Sequence, residues 1–560
     1  MATNTRKVSK NTRVSDLITV EDVKKWEPDV PVIIEAGTGV GKSYFIKNTL
    51  YDIAKEEDQK ILFLIHRRKC VDQFVMEIEA DGKDDVIDIV TYQKFSMHKR
   101  CSDFDDEFNP YDYGYIVSDE YHYFTEDASF NDTTDVAYDM IMECTTAVKI
   151  FMSATGENIE SYMRDYLADN AQKLCIREGI KPLKYKIPTN WSFINQLYFF
   201  YREDAFKHKA EEVIGNGTKA IFFIESAKKA YELYKQFEDN AIFCCSESNK
   251  DYAKYMNKEK LSQMLENERF EENLLITTAC LDAGVNIKDK DVKEVMIDIR
   301  DFGSLIQCMG RRRIGRRKDN GAYSEKIDVY VRARTNEQLG GMITQIKKNI
   351  TPAQFLDFNG EDEFYREYPR FNANVDKSGI IYTDKKDNCL KVNELMLKKK
   401  ESDIELYNKM INLNDYGYCA YLADKFERTH KYDRLGNIIK WKYEIYEPEY
   451  INIMFTLERY ANDKTEFCDK SQKDELVQEL AIRKDRRIVK TAKTINERLL
   501  QMGIPYKINE KRTKRKIDGR SKDVRLWTIV RVRISSFFVN ITGLFAILRT
   551  KLLRCFYIGS

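Results

Sequence analysis

The sequence has twelve cysteines but no pair at CxxC spacing. Structural zinc sites and thioredoxin-like redox sites usually depend on such pairs, so the sequence gives no signal for either. Scattered thiols without this spacing are typical of a reducing compartment. We therefore expect free cysteines and a cytoplasmic location.

The sequence also lacks an excess of positive or negative residues. Lys and Arg total 92 and Asp and Glu total 91, which gives a net charge of +1 with His neutral. This balance excludes a uniformly basic surface, although a local basic region remains open. Hydrophobic residues make up 43% of the 560 positions, enough for packed cores. A chain of this length exceeds a single core, so we expect roughly two to four domains.

Long hydrophobic runs are absent as well. One uncharged apolar segment, residues 534–548, has 15 positions between two arginines, whereas a membrane helix needs about 17–25. Residues 1–16 are polar and lack the apolar stretch of a secretory signal. We expect no stable membrane association. The tail 534–560 is interpreted as a core helix, an oligomer contact or a loosely packed extension.

Short apolar runs alternate with helical patterns in two blocks. Near-continuous apolar runs indicate strands buried on both faces, and their alternation with helices predicts parallel sheets. The sequence thus predicts an α/β fold with two domains in tandem. The predicted strands are 32–34, 61–65, 86–90, 115–117 and 149–152 in the first block, and 197–201, 220–224, 241–244, 274–276, 295–297 and 327–331 in the second.

The strongest chemical signal follows the first predicted strand. It is the segment Ala36-Gly37-Thr38-Gly39-Val40-Gly41-Lys42-Ser43, which precedes an amphipathic helix. Glycines let backbone N–H groups curl around phosphate oxygens, and a helix N-terminus adds favourable partial charge. Lys42 can reach the β and γ phosphates, and the Ser43 hydroxyl can bind Mg²⁺. We predict a phosphate loop, although Ala36 replaces the usual first glycine. The alternative is a glycine-rich turn before an ordinary helix.

A second signal lies at the end of a later predicted strand. The segment Ser118-Asp119-Glu120-Tyr121-His122 follows the apolar run 115–117. The carboxyl edge of a parallel sheet is where ligands bind. Asp119 can hold Mg²⁺ through water, and Glu120 can orient and deprotonate an attacking water. Alone these acids could belong to a solvated loop, but together with the phosphate loop they predict nucleotide hydrolysis.

In this order the motifs resemble those of superfamily 2 helicases of the DExH/DEAH-box type, within the DEAD/DEAH box helicase family. The resemblance covers about residues 19–335 and does not extend to 336–560. Further similar segments are Leu64-Ile65-His66-Arg67-Arg68-Lys69, Thr91-Tyr92-Gln93, Ser153-Ala154-Thr155, Thr277-Thr278 with Gly284-Val285-Asn286, and Gln307-Cys308-Met309-Gly310-Arg311.

The resemblance implies two RecA-like P-loop domains with ATP and Mg²⁺ in the cleft between them. It also implies roles for individual residues. The catalytic residues would be Lys42, Asp119, Glu120, His122, Gln307, Arg311 and Arg313, with Ser43 and Asp119 on Mg²⁺. Residues that couple the ATP state to nucleic acid would be Ser153, Ala154, Thr155 and Gly284. Nucleic-acid contacts would come from His66, Arg67, Arg68, Thr91, Thr277 and Thr278.

One departure concerns the arginines of the second lobe. The family pattern Q-x-x-G-R-x-x-R would place its last arginine at Ile314. Arg311 is our first candidate for the finger that stabilises γ-phosphate charge, Arg313 the next and Arg316 the third. For Arg312, Arg316 and Arg317 the alternative interpretation is an exposed basic end of a helix.

Positive charge is concentrated near the C-terminus. Residues 481–533 contain 18 Lys and Arg against 5 Asp and Glu. A predicted helix at about 489–502 is followed by predicted strands at 504–509 and 525–531, with the favoured turn pair Asp518-Gly519 between them. This pattern predicts a winged-helix-like basic hairpin whose Lys514, Arg515 and Lys516 contact nucleic-acid phosphates. The alternative is a solvated charged loop.

We predict five segments: an N-terminal arm with a short helix (1–29), RecA-like lobe 1 (30–185), RecA-like lobe 2 (186–335), a mostly helical accessory region (336–480) and a basic module with the apolar tail (481–560). The predicted function is an ATP-dependent helicase or translocase that acts on nucleic acid, with DNA favoured over RNA. Two alternatives remain open. One is a double-strand translocase without strand separation, in a replication or defence complex. The other is a nucleotide-gated nucleic-acid-binding scaffold with little turnover.

Overall fold

The structure is a computed structural model. It describes residues 8–37, 39–66, 68–100, 109–126, 134–154, 157–281, 286–315, 323–373, 376, 378–384, 388–413, 417–427, 431–432, 438–440, 443–446, 448–484, 487–501, 504, 506–517 and 520–532. The chain divides into two compact units. The large unit comprises Met1–Phe199 and Lys209–Tyr443, and the small unit comprises Phe200–His208 and Glu444–Ser560. The boundaries of the five predicted segments stay predictions.

The first α/β domain contains one sheet of six strands. They are β1 (Val32–Ala36), β2 (Ile61–Ile65), β3 (Ile87–Thr91), β4 (Tyr115–Asp119), β5 (Val148–Ser153) and β6 (Leu183–Ile187). They pair in parallel in the order β3-β2-β4-β5-β1-β6. The five predicted strands of this block are confirmed. Strand β6 was not predicted, because its sequence Leu-Lys-Tyr-Lys-Ile alternates as an edge strand does.

Helices connect these strands. They are α1 (Val14–Leu17), α2 (Val20–Val23), α3 (Lys42–Tyr44), α4 (Tyr51–Glu56), α5 (Arg68–Ala80), α6 (Tyr92–Arg100), α7 (Tyr123–Glu126), α8 (Thr134–Glu143) and α9 (Glu157–Asp169). Between α3 and α4 a π-helical segment, Phe45–Leu50, joins the two into one continuous helix. The helix predicted after the phosphate loop therefore exists, and its apolar stripe of Ile46, Leu50, Ile53 and Ala54 is buried against the sheet.

The second α/β domain repeats the plan. Its strands are β7 (Ile194–Phe200), β8 (Lys219–Ile224), β9 (Ala241–Cys244), β10 (Leu274–Thr277), β11 (Val292–Asp298) and β12 (Ile327–Arg332), and its helices are α10 (Ala205–Gly215), α11 (Ala227–Tyr234), α12 (Lys258–Asn267) and α13 (Phe302–Gly310). These strands lie in the order β7-β12-β11-β8-β10-β9, with β8 to β12 paired in parallel. All six predicted strands are confirmed.

The central strands are buried along their whole length, as the apolar runs require. Parallel strands expose their carboxyl ends at one edge, so the loops after β1 and β4 meet at the same rim. The predicted fold class, two tandem RecA-like α/β domains with parallel sheets, is confirmed.

The accessory part of the large unit is mostly helical, as predicted. It contains α14 (Asn336–Glu367), which is interrupted at Gly360 (φ 79°), β13 (Ile381–Thr383), β14 (Leu390–Val392), α15 (Glu394–Leu413), α16 (Gly417–Lys425), β15 (Lys431–Tyr432) and β16 (Ile438–Lys440). Helix α15 packs between α14 and α16 and also contacts α7, α8 and α9 of the first domain.

In the small unit, helices and short strands precede a long antiparallel hairpin. Its elements are β17 (Glu444–Ile445), α17 (Pro448–Asn462), β18 (Glu466–Phe467), α18 (Lys470–Leu480), β19 (Arg483–Lys484), β20 (Arg487–Ile488), α19 (Ala492–Gln501), β21 (Tyr506–Ile517) and β22 (Arg520–Arg531). The predicted helix and basic hairpin are present, but the strands are longer than predicted. The basic run after residue 509 is strand rather than loop, because it pairs residue by residue with β22.

Within the described part of the chain, no helix combines the length and the hydropathy that crossing a bilayer requires. The apolar tail 534–560 lies outside that part. Among the cysteines that the structure describes, no disulfide is formed.

Candidate active site

The phosphate loop adopts a backbone that glycine favours. Gly39 and Gly41 have φ values of +78° and +89°, in the left-handed region that a Cβ disfavours. Gly41 is the N-cap of α3, so the first helical N–H groups open toward the loop. Val40, which lies between these two glycines, is buried. Thr38 lies outside the described residues.

Lys42 reaches back across the mouth of this loop. Its Nζ donates to the carbonyl oxygen of Ala36 at 3.2 Å and lies 3.5 Å from Oε1 of Glu120. Only 10% of its side chain is exposed. The ammonium is therefore held between the end of β1 and the acidic segment after β4.

The acidic segment is anchored from below by an aromatic pair. The hydroxyl of Tyr92 donates to the carbonyl oxygen of Asp119 at 2.9 Å. The ring of Tyr92 stacks on Tyr123, with centroids 4.4 Å apart and planes 7° apart. Glu120 itself has φ +50°, an uncommon conformation for a residue with a side chain. Such strain is often found at functional sites.

The two carboxyl groups have opposite pKa shifts. Burial and the neighbouring Glu120 raise the pKa of Asp119 to about 7, against the opposing charge of Lys42. Burial acts in the same direction on Glu120, but the charge of Lys42, the contact with His122 and the charge of Arg311 outweigh it and hold the pKa of Glu120 below its usual range. The charged form of Glu120 is therefore stabilised by groups of the protein itself, whereas the charged form of Asp119 would be stabilised by an added cation.

His122 joins the two lobes by hydrogen bonds. Gln307 Nε2 donates to His122 Nε2 at 2.6 Å. An amide nitrogen can only donate, so this contact requires the tautomer in which His122 Nε2 accepts and the proton is on Nδ1. That atom lies 3.0 Å from Ser153 Oγ and 3.3 Å from Glu120 Oε2. One side chain thus contacts the end of β5, the candidate base and the second lobe.

The arginines of the second lobe follow helix α13. Asp301 caps the start of this helix by accepting from Ser304 N at 2.9 Å, and Arg311 follows its last residue. Arg313 Nε donates to Asn286, and burial together with the charge of Arg311 lowers the pKa of Arg313 to about 10. The arginine-rich turn is therefore largely buried.

Arg312 corrects one alternative from the sequence. It is 4% exposed and pairs with Glu325 at 2.6 Å, while its guanidinium also donates to the carbonyl oxygens of Val292 and Arg313. The interpretation of Arg312 as an exposed cation at a helix end is therefore wrong. Its guanidinium is buried because Glu325 and two backbone carbonyl groups bind it there. Arg316 and Arg317 lie outside the described residues.

A cavity of about 1450 Å³ lies between the two lobes of the large unit. It brings together most of the residues that the sequence placed in the active site. From the first lobe it is lined by Gly39, Gly41, Lys42, Ser43, His66, Asp119, Glu120 and His122, and from the second by Thr278, Asn286, Gln307, Arg311 and Arg313.

The remaining predicted residues are placed differently. Ser153 and Thr277 are fully buried, and Thr277 donates to the carbonyl oxygen of Thr278. Thr91 Oγ1 accepts from Lys94 N at the start of α6. Ala154 lines a smaller cavity of about 300 Å³. The residues Arg67, Thr155 and Gly284, and the side chains of Arg68, Arg515 and Lys516, lie outside the part that the structure describes.

Sequence reasoning missed a residue that supports the acidic segment and several that line the cavity. Tyr92 lies in a segment that was singled out, but nothing in the pattern shows that its hydroxyl supports Asp119. Asp301, Lys399 and Lys400 carry no motif at all, and the two lysines belong to α15, more than 270 positions from Glu120. Only the three-dimensional packing of the accessory helix reveals them.

In the small unit, exposed cations follow the hairpin. Lys511, Arg512 and Lys514 are exposed on β21. Arg512 lies directly opposite Arg525 of β22, which is also exposed and 3.7 Å from Glu510. Like charges directly opposite each other destabilise a hairpin. Asp518 and Gly519, the predicted turn, lie outside the described residues.

Comparisons with known proteins give fold-level matches alone. No family model and no curated protein matches this chain. Among solved structures, S. cerevisiae Dbp5 bound to RNA and ADP BeF3 is 15% identical over 61% of this chain and 88% of its own, with a TM-score of 0.38. Mss116p bound to ssRNA and AMP-PNP is 13% identical over 66% and 84%, with a TM-score of 0.39.

A DEAD box protein from the hyperthermophile Methanococcus jannaschii is 15% identical over 56% of this chain and 84% of its own, with a TM-score of 0.30. All three TM-scores are below 0.5, so the superposition is partial. The function proposed for this chain therefore rests on its own residues.

Proposed function

We propose that this chain is an ATP hydrolase of the helicase or translocase type, driven by closure of two lobes around the nucleotide. One observation carries the proposal: groups suited to phosphate binding, water activation and charge stabilisation come from both lobes and line a single cavity. Lys42 and Glu120 belong to one wall, and Gln307, Arg311 and Arg313 to the other.

Nucleotide binding would use the phosphate loop. The backbone N–H groups at Gly39 and Gly41 and the start of α3 offer a cradle for phosphate oxygens. Lys42 would bind the β and γ phosphates, and this would compete with its ion pair to Glu120. Because Lys42 is a main cause of the low pKa of Glu120, moving it to phosphate would raise that pKa and make Glu120 a better base.

The residues at the cavity fit Mg²⁺. Asp119 Oδ1 is buried and has no hydrogen-bond partner among the described residues. Its raised pKa shows that a nearby cation would favour the carboxylate. Ser43 lines the same cavity and supplies a hydroxyl oxygen. Asp119 and Ser43 would therefore hold the ion; when bound, Mg²⁺ neutralises charge on phosphate oxygens.

The residues that act in hydrolysis would come from both lobes. Glu120, ionised in this setting, would orient a water and accept its proton. Arg311 and Arg313 would stabilise the charge that develops on the γ-phosphate. The departure at Ile314 is the basis for the scaffold alternative with little turnover. Two arginines on the cavity wall, Arg311 and Arg313, favour turnover instead.

Coupling to nucleic acid would pass through His122. Its bonds to Ser153 and Gln307 connect the candidate base with both lobes, so a change at the γ-phosphate would alter how the lobes dock. The basic hairpin of the small unit would bind phosphates of the strand. We infer DNA in preference to RNA from this hairpin and from the sequence Asp119-Glu120-Tyr121-His122, which differs from the DEAD form.

The test is ATPase activity of the full chain with single- and double-stranded DNA and RNA at two salt concentrations. We expect stimulation of at least about tenfold by DNA, smaller at high salt. The motor proposal fails if no nucleic acid raises turnover, and the DNA preference fails if RNA is the better activator. Strand displacement compared with triplex displacement then separates a helicase from a double-strand translocase.

A further inference from the structure

Helix α15 contacts both lobes of the large unit. On the first lobe, Tyr162 Oη donates to Glu394 at 3.3 Å, and Lys398 lies 3.4 Å from Asp165. Leu395 is 1% exposed and belongs to the core of that lobe. The N-terminal end of α15 is therefore fixed to the first lobe by apolar burial and by polar contacts.

The next turn of α15 binds the second lobe. Lys399 is buried, and its Nζ lies 2.9 Å from Asp301 and 3.0 Å from Asp403. Asp301 is the N-cap of α13, the helix that carries Gln307. Although burial acts in the opposite direction, Lys399 lowers the pKa of Asp301 to about 2. This charged contact fixes α15 beside the helix that leads to Arg311.

One face of α15 lines the interlobe cavity. Met396, Lys400, Asp403 and Tyr407 recur at spacings of four, three and four residues, which places them on a single helical face. The accessory region thus supplies a third wall to the cavity. At about 1450 Å³ the cavity also exceeds the roughly 300–1000 Å³ of ordinary small-ligand sites.

Lys400 is a cation on that face of the helix. Among the described residues it makes no ion pair or hydrogen bond, whereas its neighbour Lys399 forms ion pairs with Asp301 and Asp403. Burial and the charge of Lys399 lower the pKa of Lys400, and the opposing charges of Asp403 and Asp301 do not offset them. An ammonium placed in this way gains stability from an added anion.

We propose that α15 forms part of the ligand site and that Lys400 binds a phosphate group in the interlobe cavity. The inference rests on the proposed function, because it takes the cavity to be the site of a phosphorylated ligand. The phosphate could belong to the nucleotide held by Lys42 or to the backbone of a nucleic-acid strand. Both present anionic oxygens to one ammonium, and the two arms of the test distinguish them.

The test compares Lys400→Met with the matched variant Lys398→Met in the full chain. Lys398 lies two positions away on the same helix and pairs with Asp165 at the surface of the first lobe. One arm measures the affinity of a fluorescent ATP analogue without nucleic acid. The other measures the affinity of a labelled single-stranded oligonucleotide without nucleotide.

We expect Lys400→Met to weaken binding about tenfold in one arm, with less than a twofold change for Lys398→Met. Weaker binding in the first arm assigns the nucleotide phosphate, and weaker binding in the second assigns the strand. Lys400→Arg should restore most of the affinity, and thermal unfolding verifies that each variant is folded.

Unchanged affinity of Lys400→Met in both arms would overturn the inference, as would a failure of Lys400→Arg to bind better than Lys400→Met. If the wild-type chain binds ATP and hydrolyses it faster with nucleic acid while Lys400→Met behaves normally, only the role of Lys400 fails. If the wild-type chain binds no nucleotide, the proposed function fails first.

Discussion

The interlobe cavity of the large unit and the hairpin of the small unit use charge in different ways. In the cavity a few charged groups are buried or half-buried, and several of them face a defined neighbour, as Lys42 faces Glu120 and Arg313 faces Asn286. Along the hairpin, cations such as Lys511, Arg512 and Lys514 are exposed and repeated. Burial strengthens electrostatic interactions and makes them specific, whereas exposed charges act through their number.

The difference between the two regions predicts how each responds to substitution. Removing one buried group should have a large effect that salt changes little. Removing one exposed cation should have a small effect that salt screens. We therefore expect the largest effect at the cavity and smaller effects elsewhere. A different order of effects would contradict this distinction between buried and exposed charges.

The largest effect is expected for Glu120→Gln. The amide keeps the shape of the side chain but cannot accept a proton from water, so turnover should fall by about 10²–10⁴-fold. ATP should still bind, because Lys42 and the phosphate loop are unchanged. Steady-state ATPase and nucleotide affinity are the measurements. Glu56→Gln, at an exposed pair with Lys24, is the matched control. Wild-type turnover in Glu120→Gln would refute the assigned base.

An intermediate effect is expected on the hairpin. Replacing Lys511, Arg512 and Lys514 together by Gln should weaken nucleic-acid binding roughly 10- to 100-fold at low salt. The slope of log affinity against log salt should become shallower by about one for each phosphate that the variant no longer binds. Lys470→Gln, an exposed cation on α18, should leave both quantities unchanged. A triple variant with the wild-type slope would show that the hairpin does not bind the strand.

The smallest effect is a stability change at a half-buried acid away from the cavity. Tyr382 Oη donates to Asp135 at 2.9 Å, yet burial raises the pKa of Asp135 to about 7. The folded protein therefore binds this proton more tightly than the unfolded chain, and stability falls as the pH rises from about 4 to 7. Asp135→Asn removes the cost of the buried charge.

A shift of this size corresponds to at most about 4 kcal/mol. Solvent still reaches part of Asp135, so we expect about 1–2 kcal/mol. The variant should melt a few degrees higher than the wild type at pH 8 and near the wild-type temperature at pH 4. Asp165→Asn, at an exposed carboxylate, should show no such difference. Equal effects at both pH values would contradict the assigned pKa.

Much of the fold could be predicted because its signals are local. Buried parallel strands appear as apolar runs, and the phosphate loop and the acidic segment follow them directly in the chain. Strand β6 was missed because its alternating sequence, with lysines at its second and fourth positions, has no such run. The full length of β21 was missed because its basic residues resemble a loop until β22 pairs with them.

The candidate site was predictable only where it has motifs. Lys42, Asp119, Glu120, Gln307 and Arg311 were named from sequence, and the structure brings them to one cavity. The burial of Arg312 and the approach of Lys399 and Lys400 depend on partners distant in the chain. Such contacts arise from tertiary packing and leave no periodic or compositional signal.

The central claim is that the second lobe completes the site that the first lobe begins. The most direct measurement is nucleic-acid-stimulated ATP turnover and ATP affinity of Arg311→Gln. We predict that turnover falls by at least about 10²-fold while affinity changes by less than about fivefold, because a finger acts on transition-state charge. Turnover at the wild-type level in a folded Arg311→Gln protein would contradict the claim.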